Sequence, residues 1–143
     1  IYNIKIVKQF QNDLPEILAD ANQIKQVVLN LILNANQAML NGGTLTVTTF
    51  LMPAAKEKER GEWGEGQKRR EERDWVWVEI RDTGIGISEE QRTRIFDLFY
   101  STKPAGTGLG LPIVQKTIHD HDGKIDIDSR LGEGTRVRIA LPI

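Results

Sequence analysis

The sequence predicts an α/β domain, and two observations carry that class. Five short stretches alternate apolar and polar residues with the period of a strand, and three others are apolar at helical spacing. The chain has 143 residues, 39% hydrophobic and 27% charged. That suffices for one domain with its own core and is too short for two comfortable ones. A net charge of −1 predicts no general attraction to nucleic acid or to a membrane surface. The absence of cysteine excludes disulfides and thiolate metal sites and fits a reducing compartment. No apolar run approaches the roughly 20 residues that span a bilayer, and no secretory signal is read. The opening, I-Y-N-I-K-I, lacks a methionine and reads as cut from something longer.

The first strand is expected over Ile4 to Phe10, with Ile4, Ile6, Val7 and Phe10 set against Lys5, Lys8 and Gln9. Asn12-Asp13-Leu14-Pro15 is turn chemistry. A long helix should run from about Ala21 to Leu40. Asp20 can cap it, with Gln23 three residues on in a capping-box arrangement. Ile24, Val27, Val28, Leu31, Ala35, Ala38 and Met39 form its apolar stripe. A second stripe holds only amides: Gln26, Asn30, Asn34, Gln37 and Asn41. Asparagine is a poor helix former. A solvated polar face is the plain explanation, but surface helices usually use Glu and Lys. Neutral amides suit the lining of a site. Asn30 and Asn34 sit one turn apart, so both oxygens could serve one hard cation and its phosphate ligands.

Asn41-Gly42-Gly43 stops the helix, and Thr44 to Leu51, β-branched and alternating, reads as a strand. Lys56 to Asp74 holds seven basic and seven acidic residues among nineteen, with three glycines. It cannot bury enough apolar surface to fold alone. Residues 53–74 are therefore expected to form an exposed, mobile connection without chemistry, in which Trp63 alone could dock. In Trp75 to Asp82, Val76, Val78 and Ile80 should face the core, with Trp75, Trp77, Glu79 and Arg81 opposite. Asp82 continues the inward set. A buried charge needs a partner, and the glycines after it let the backbone approach something closely. A nucleotide pocket with Asp82 accepting hydrogen bonds from a base is one reading; a solvated Asp-Thr-Gly turn is the other.

Ser88-Glu89-Glu90-Gln91 is a capping box. It opens a short helix expected to reach Phe99, with Ile95, Phe96 and Phe99 on its apolar side. Gly106, Gly108 and Gly110 then precede a helix carrying Pro112 in its first turn. Such a loop offers backbone N–H groups and a positive dipole end to an anion; Lys103 and Thr107 add a charge and a hydroxyl. A glycine hinge without ligand would look similar. No G-x-x-x-x-G-K-[ST] loop, dinucleotide fingerprint or Ser/Thr/Tyr-kinase signature is present. The last helix, about Leu109 to His121, should turn Ile113, Val114 and Ile118 inward. His119 and His121 lie two apart and not on one face, so a shared metal from this helix is not expected. Lys124 to Ser129 and Thr135 to Leu141 read as a hairpin.

Five motifs now stand in order: N-L-I-L-N-A-N-Q-A-M from Asn30, D-T-G-I-G from Asp82, I-F-D-L-F from Ile95, G-T-G-L-G-L from Gly106 and G-E-G-T from Gly132. They resemble the N, G1, F, G2 and final glycine boxes of sensor histidine kinases. The whole chain resembles the catalytic ATP-binding domain of that family, within the superfamily of gyrase B, the Hsp90 chaperones and the MutL proteins. The Y-S-T-K-P stretch looks most like the nitrogen-regulatory subgroup. The resemblance implies one domain over residues 1–143 with a two-layer α/β sandwich of the Bergerat type. Its sheet would be mixed and mainly antiparallel, packed against three helices, with an ATP lid over 87–110.

The resemblance also implies ATP and Mg²⁺ as cofactors. Asp82 would take the adenine amino group, and Gly84 and Gly86 would let the loop pass closely. Asn34 would bind Mg²⁺ with Asn30 beside it. Lys103, Thr107, Gly108, Leu109 and Gly110 would surround the phosphates, and Phe96 and Phe99 would anchor the lid. Gln37, Ala38, Ile87, Thr102, Gly106, Leu111 and Thr135 would complete the nucleotide site. Two departures matter. A basic residue often found three after the Mg²⁺ asparagine is here Gln37, and Lys103 could supply that charge. The glutamate with which the superfamily's ATPases activate water is here Asn30, and an amide is no general base at neutral pH.

The expected reaction is therefore γ-phosphoryl transfer to a histidine rather than hydrolysis, with Asn30 and Lys103 as the catalytic candidates. Neither His119 nor His121 lies in an acceptor motif. The implied acceptor is a helical dimerisation domain N-terminal to Ile1, and a response-regulator receiver domain is the final partner. No nucleic acid or membrane contact is expected, and the fragment should be a cytoplasmic monomer. Steady hydrolysis would instead favour a superfamily ATPase. A serine-phosphorylated partner would favour an anti-sigma-factor kinase, and absence of nucleotide binding a non-enzymatic interaction module.

Overall fold

A computed structural model of the chain describes residues 3–53, 73–97 and 110–143. The elements are β1 (Ile4–Phe10), α1 (Ala21–Ala38), β2 (Gly43–Met52), β3 (Trp75–Asp82), α2 (Glu89–Arg92), α3 (Gly110–Asp120), β4 (Lys124–Arg130) and β5 (Gly134–Pro142). The strands form one sheet in the order β1-β2-β3-β5-β4. β1 and β2 are parallel, joined through α1 as a crossover, and the other pairs are antiparallel. This is the mixed, mainly antiparallel sheet with three helices that was expected.

α1 and α3 share one core with the sheet. Val27, Leu31 and Ala35 recur every fourth residue along α1, and Val114 and Ile118 do so on α3. They close over Leu45 of β2, Ile80 of β3, and Ile139 and Leu141 of β5. Asp20 caps α1 by accepting the N–H groups of Asn22 and Gln23 at 3.0 and 3.1 Å. The reciprocal capping box forms at Ser88, where Ser88 and Gln91 bond each other's backbone.

Four expectations need correction. Ile113 is 46% exposed and points away from the core; Val114 and Ile118 alone supply the stripe, because four residues return a helix to the same face and five do not. α1 ends at Ala38, two residues early, where Gly42 with φ +90° allows the chain to fold back and donate to the Met39 carbonyl at 3.0 Å. α2 is one short helix of 4 residues, followed by turns up to Phe96. Ile6 and Phe10 stay more than half exposed, since β1 is an edge strand with one neighbour.

β3 also departs from a one-sided strand. Trp75 and Trp77 are 3% and 7% exposed, as deeply buried as the opposite face. They form a second cluster with Met52 and Ala140, against which Phe50 packs. Register explains it: Phe50 pairs with Trp77 and Met52 with Trp75, and the Phe50 and Trp77 rings stack at 6.4 Å. Lys124 Nζ lies 4.1 Å over the Trp75 ring. The 54–72 stretch, with Trp63, lies outside the described residues.

Candidate functional site

Asp82 ends β3 on the helix-covered face, paired across the sheet with Leu45 and Thr135. It is 7% exposed and is the buried charged residue among those described, so the inward carboxylate read from strand phase is where the sequence placed it. One oxygen accepts the Gly84 N–H at 2.8 Å, the short turn that reverses the chain at the strand end.

From there the D-T-G-I-G loop is clasped on both sides by backbone. Ile85 donates its N–H to the Ala38 carbonyl at the foot of α1, at 3.0 Å, and accepts from the Gly132 N–H at 2.6 Å. Ile87 N–H donates to Ser129 Oγ at 2.8 Å, and that hydroxyl donates on to the Gly134 carbonyl at 3.0 Å. Glycine is required by contact. A Cβ on Gly84 would overlap the Ala38 carbonyl oxygen, one on Gly86 that of Arg130, and one on Gly134 that of Asp82. The first and last glycine boxes, distant in sequence, thus lock together under the end of α1.

Asn30 and Asn34 both lie half-buried, one turn apart on α1. Within the amide stripe Gln26 Nε2 donates to Asn30 Oδ1 at 3.1 Å. Gln37 is exposed, while Ala38 is half-buried and receives the loop through its carbonyl. Ile87 and Thr135 are half-buried at the clasp, with Thr135 Oγ1 2.8 Å from Ser129 Oγ. Gly110 opens α3, and Leu111 packs on the core. The structure therefore brings the Asp82 loop, Ala38, Ile87 and Thr135 together. Phe99, Thr102, Lys103, Gly106, Thr107, Gly108 and Leu109 lie outside the described residues.

Two participants went unread in the sequence. Thr83 Oγ1 accepts the Thr44 N–H at 2.9 Å and ties the loop to β2. Ser129 joins β4 to the loop from the far edge. Neither has a local signal, because each works through a partner some 40 residues away. Among the described residues, no group of three or more His, Asp and Glu could hold a metal ion.

A sheet covered by helices on one face, with a buried carboxylate and a glycine clasp beneath an amide-bearing helix, defines the class as a two-layer α/β sandwich. The chain belongs to the histidine kinase-, DNA gyrase B- and HSP90-like ATPase family, whose model matches residues 19–143. Its relatives place it among histidine kinase catalytic domains. It is 33% identical over 141 residues to sporulation kinase E of Bacillus subtilis, covering 99% of this chain and 16% of that protein. Against the sensory histidine kinase/phosphatase NtrB of Rhodobacter capsulatus it is 38% identical over 138 residues, 96% of this chain and 37% of the other. The chain thus spans well under half the length of these relatives. The solved catalytic domain of histidine kinase ThkA matches with a TM-score of 0.73 at 32% identity, covering 98% of this chain and 79% of that one. Full-length ShkA in complex with AMPPNP matches at 0.72 and 28% identity, covering 97% of this chain and 25% of its own.

Proposed function

We propose that this chain binds Mg²⁺·ATP and delivers the γ-phosphoryl group to a histidine on a separate helical dimerisation domain, as the catalytic domain of a two-component sensor kinase. The observation that carries the reading is Asp82: a carboxylate buried at the end of β3 (7% exposed) beside a backbone clasp. One of its oxygens accepts the Gly84 N–H, and a carboxylate here, acceptor-only when ionised, is complementary to the adenine amino group as donor. Gly84 and Gly86 let the loop pass, with Ala38, Ile87, Leu111 and Thr135 bordering the nucleotide.

Neutral amide oxygens suit a hard cation. Asn34 is the primary ligand in this reading, as the resemblance to the family implies, and Asn30, whose oxygen accepts from Gln26, supports it from one turn away. Mg²⁺ supplies neutralisation of phosphate charge. The chain's own residues bind and orient: the G-T-G-L-G-L stretch, with Gly106 to Leu111, cradles phosphates at the start of α3. Phe99 and Thr102 belong to the same lid, read over 87–110 within one domain of 1–143. Lys103 brings the cation that Gln37 does not. Asn30 cannot activate water, which supports transfer over hydrolysis. No helix among the described residues is long and apolar enough to cross a membrane. A cytoplasmic site, a receiver domain as final acceptor and a monomeric fragment complete the proposal.

Calorimetric titration with ADP and a non-hydrolysable ATP analogue tests it. Mg²⁺ should tighten binding of the analogue, and Asn34→Ala should lose about tenfold of that tightening, the scale of one charge-assisted ligand contact. Equal Mg²⁺ dependence in Asn34→Ala would remove it as the ligand. With the dimerisation domain supplied, Lys103→Ala should lower phosphotransfer by about tenfold or more; an unchanged rate rejects the lysine's role.

A further inference from the structure

His121 sits just past α3, a residue the nucleotide reading does not use, and it touches the far end of α1. Its Nε2 accepts the backbone N–H of Asp20 at 3.1 Å, across 101 residues of sequence. Its Nδ1 lies 2.7 Å from the Thr117 carbonyl in the last turn of α3. A backbone N–H only donates and a carbonyl only accepts. Both contacts hold together only when the ring is neutral with its proton on Nδ1. One side chain therefore caps the C-terminus of α3 and holds the residue that caps the N-terminus of α1.

The two helices it joins frame the proposed site. Asn30 lies ten residues beyond Asp20, roughly 15 Å along α1 at 1.5 Å per residue, and Gly110 lies at the opposite end of α3 from His121. Val27, Leu31, Val114 and Ile118 pack between them, so each helix moves as a rod. We propose that His121 is a positioning residue for the nucleotide site: in its neutral Nδ1–H form it joins α3 to α1 and sets the spacing of the helices that carry Gly110 and Asn30. The positioning role rests on the nucleotide reading above; the joint itself does not.

Protonation turns Nε2 into a donor facing a donor and opens the joint. The charged groups on the surrounding elements are Asp20 and Lys25 on the α1 side, Asp13 and Glu16 in the preceding loop, Lys116, His119 and Asp120 on α3, Asp122 in the turn and Lys124 on β4. The Asp20 carboxylate already accepts from Asn22 and Gln23. A hydrogen bond from Lys116 at 2.7 Å, more than the neighbouring charges, holds the Asp120 carboxyl below its usual range.

The test reads the joint and the site separately. ¹⁵N NMR of the chain should show the neutral His121 ring with its proton on Nδ1 at pH 7.5. ADP affinity at pH 7.5 should drop about fivefold in His121→Leu, the scale of one ordinary hydrogen bond. His121→Gln, which keeps an acceptor in reach of Asp20, should stay within about twofold. A proton on Nε2 at pH 7.5 overturns the joint. A correct tautomer with unchanged ADP affinity in His121→Leu overturns the positioning role. If wild type binds no ADP, the nucleotide reading fails and positioning fails with it, while the NMR result still decides the joint.

Discussion

Asp82→Asn should fold normally and lose adenine-nucleotide binding by about 100-fold or more, because a buried donor left facing a donor forfeits both the bond and the desolvation of two groups. The fold should survive because asparagine has the same shape and its amide oxygen can still accept the Gly84 N–H, now 2.8 Å from Asp82. The substitution keeps the side-chain volume at a position 7% exposed, so no cavity is opened. What changes is the second acceptor, which becomes an NH₂ group. Wild type should prefer ADP to GDP for the same reason, since guanine carries an oxygen where adenine carries its amino group. Titration calorimetry beside a thermal melt separates the two effects. A folded Asp82→Asn chain with wild-type ADP affinity would show that the carboxylate does not read the base.

Gly86→Ala is expected to cost about 3 kcal/mol of stability or more, as an exceptional backbone substitution does. The φ of +72° accounts for about 1 to 2 kcal/mol of strain in any L-residue. The rest is contact: the new Cβ would enter the Arg130 carbonyl oxygen, so the clasp must open. The bonds at risk are Gly132 N–H to Ile85 O and Ile87 N–H to Ser129 Oγ. The melting temperature should fall by roughly 10 °C, and ADP binding should go with it, since the loop carrying Gly84 is displaced. Gly110→Ala is the control, because nothing among the described residues lies within 4 Å of its added Cβ and it sits in a helix. That substitution should leave the melting temperature unchanged or slightly raised. Equal losses in both would mean that the clasp is not what Gly86 serves.

Much of the fold and part of the site were legible locally. β1, β3, the Asp20 cap and the Ser88 capping box follow from period and from side chains that bond within three residues. Asp82 was found because a carboxylate in phase with Val76, Val78 and Ile80 must share their face. The asparagines of α1 were found because their type is wrong for a solvated helix. The misreadings of β3 and β1 have one origin. Whether Trp75 and Trp77 face solvent depends on Phe50 and Met52 standing opposite them. Whether Ile6 is covered depends on β1 having one neighbour.

Period and propensity are properties of neighbouring residues, so the order of strands and helices, the inward carboxylate and the amide stripe were present in the chain before folding. The partners of each surface are properties of space. The meeting of Gly86 with Arg130, of Gly134 with Asp82 and of His121 with Asp20 joins residues far apart in the chain, through backbone atoms that every amino acid shares. No pattern of side-chain types marks such a contact, so it took the folded sheet and its helices to decide them.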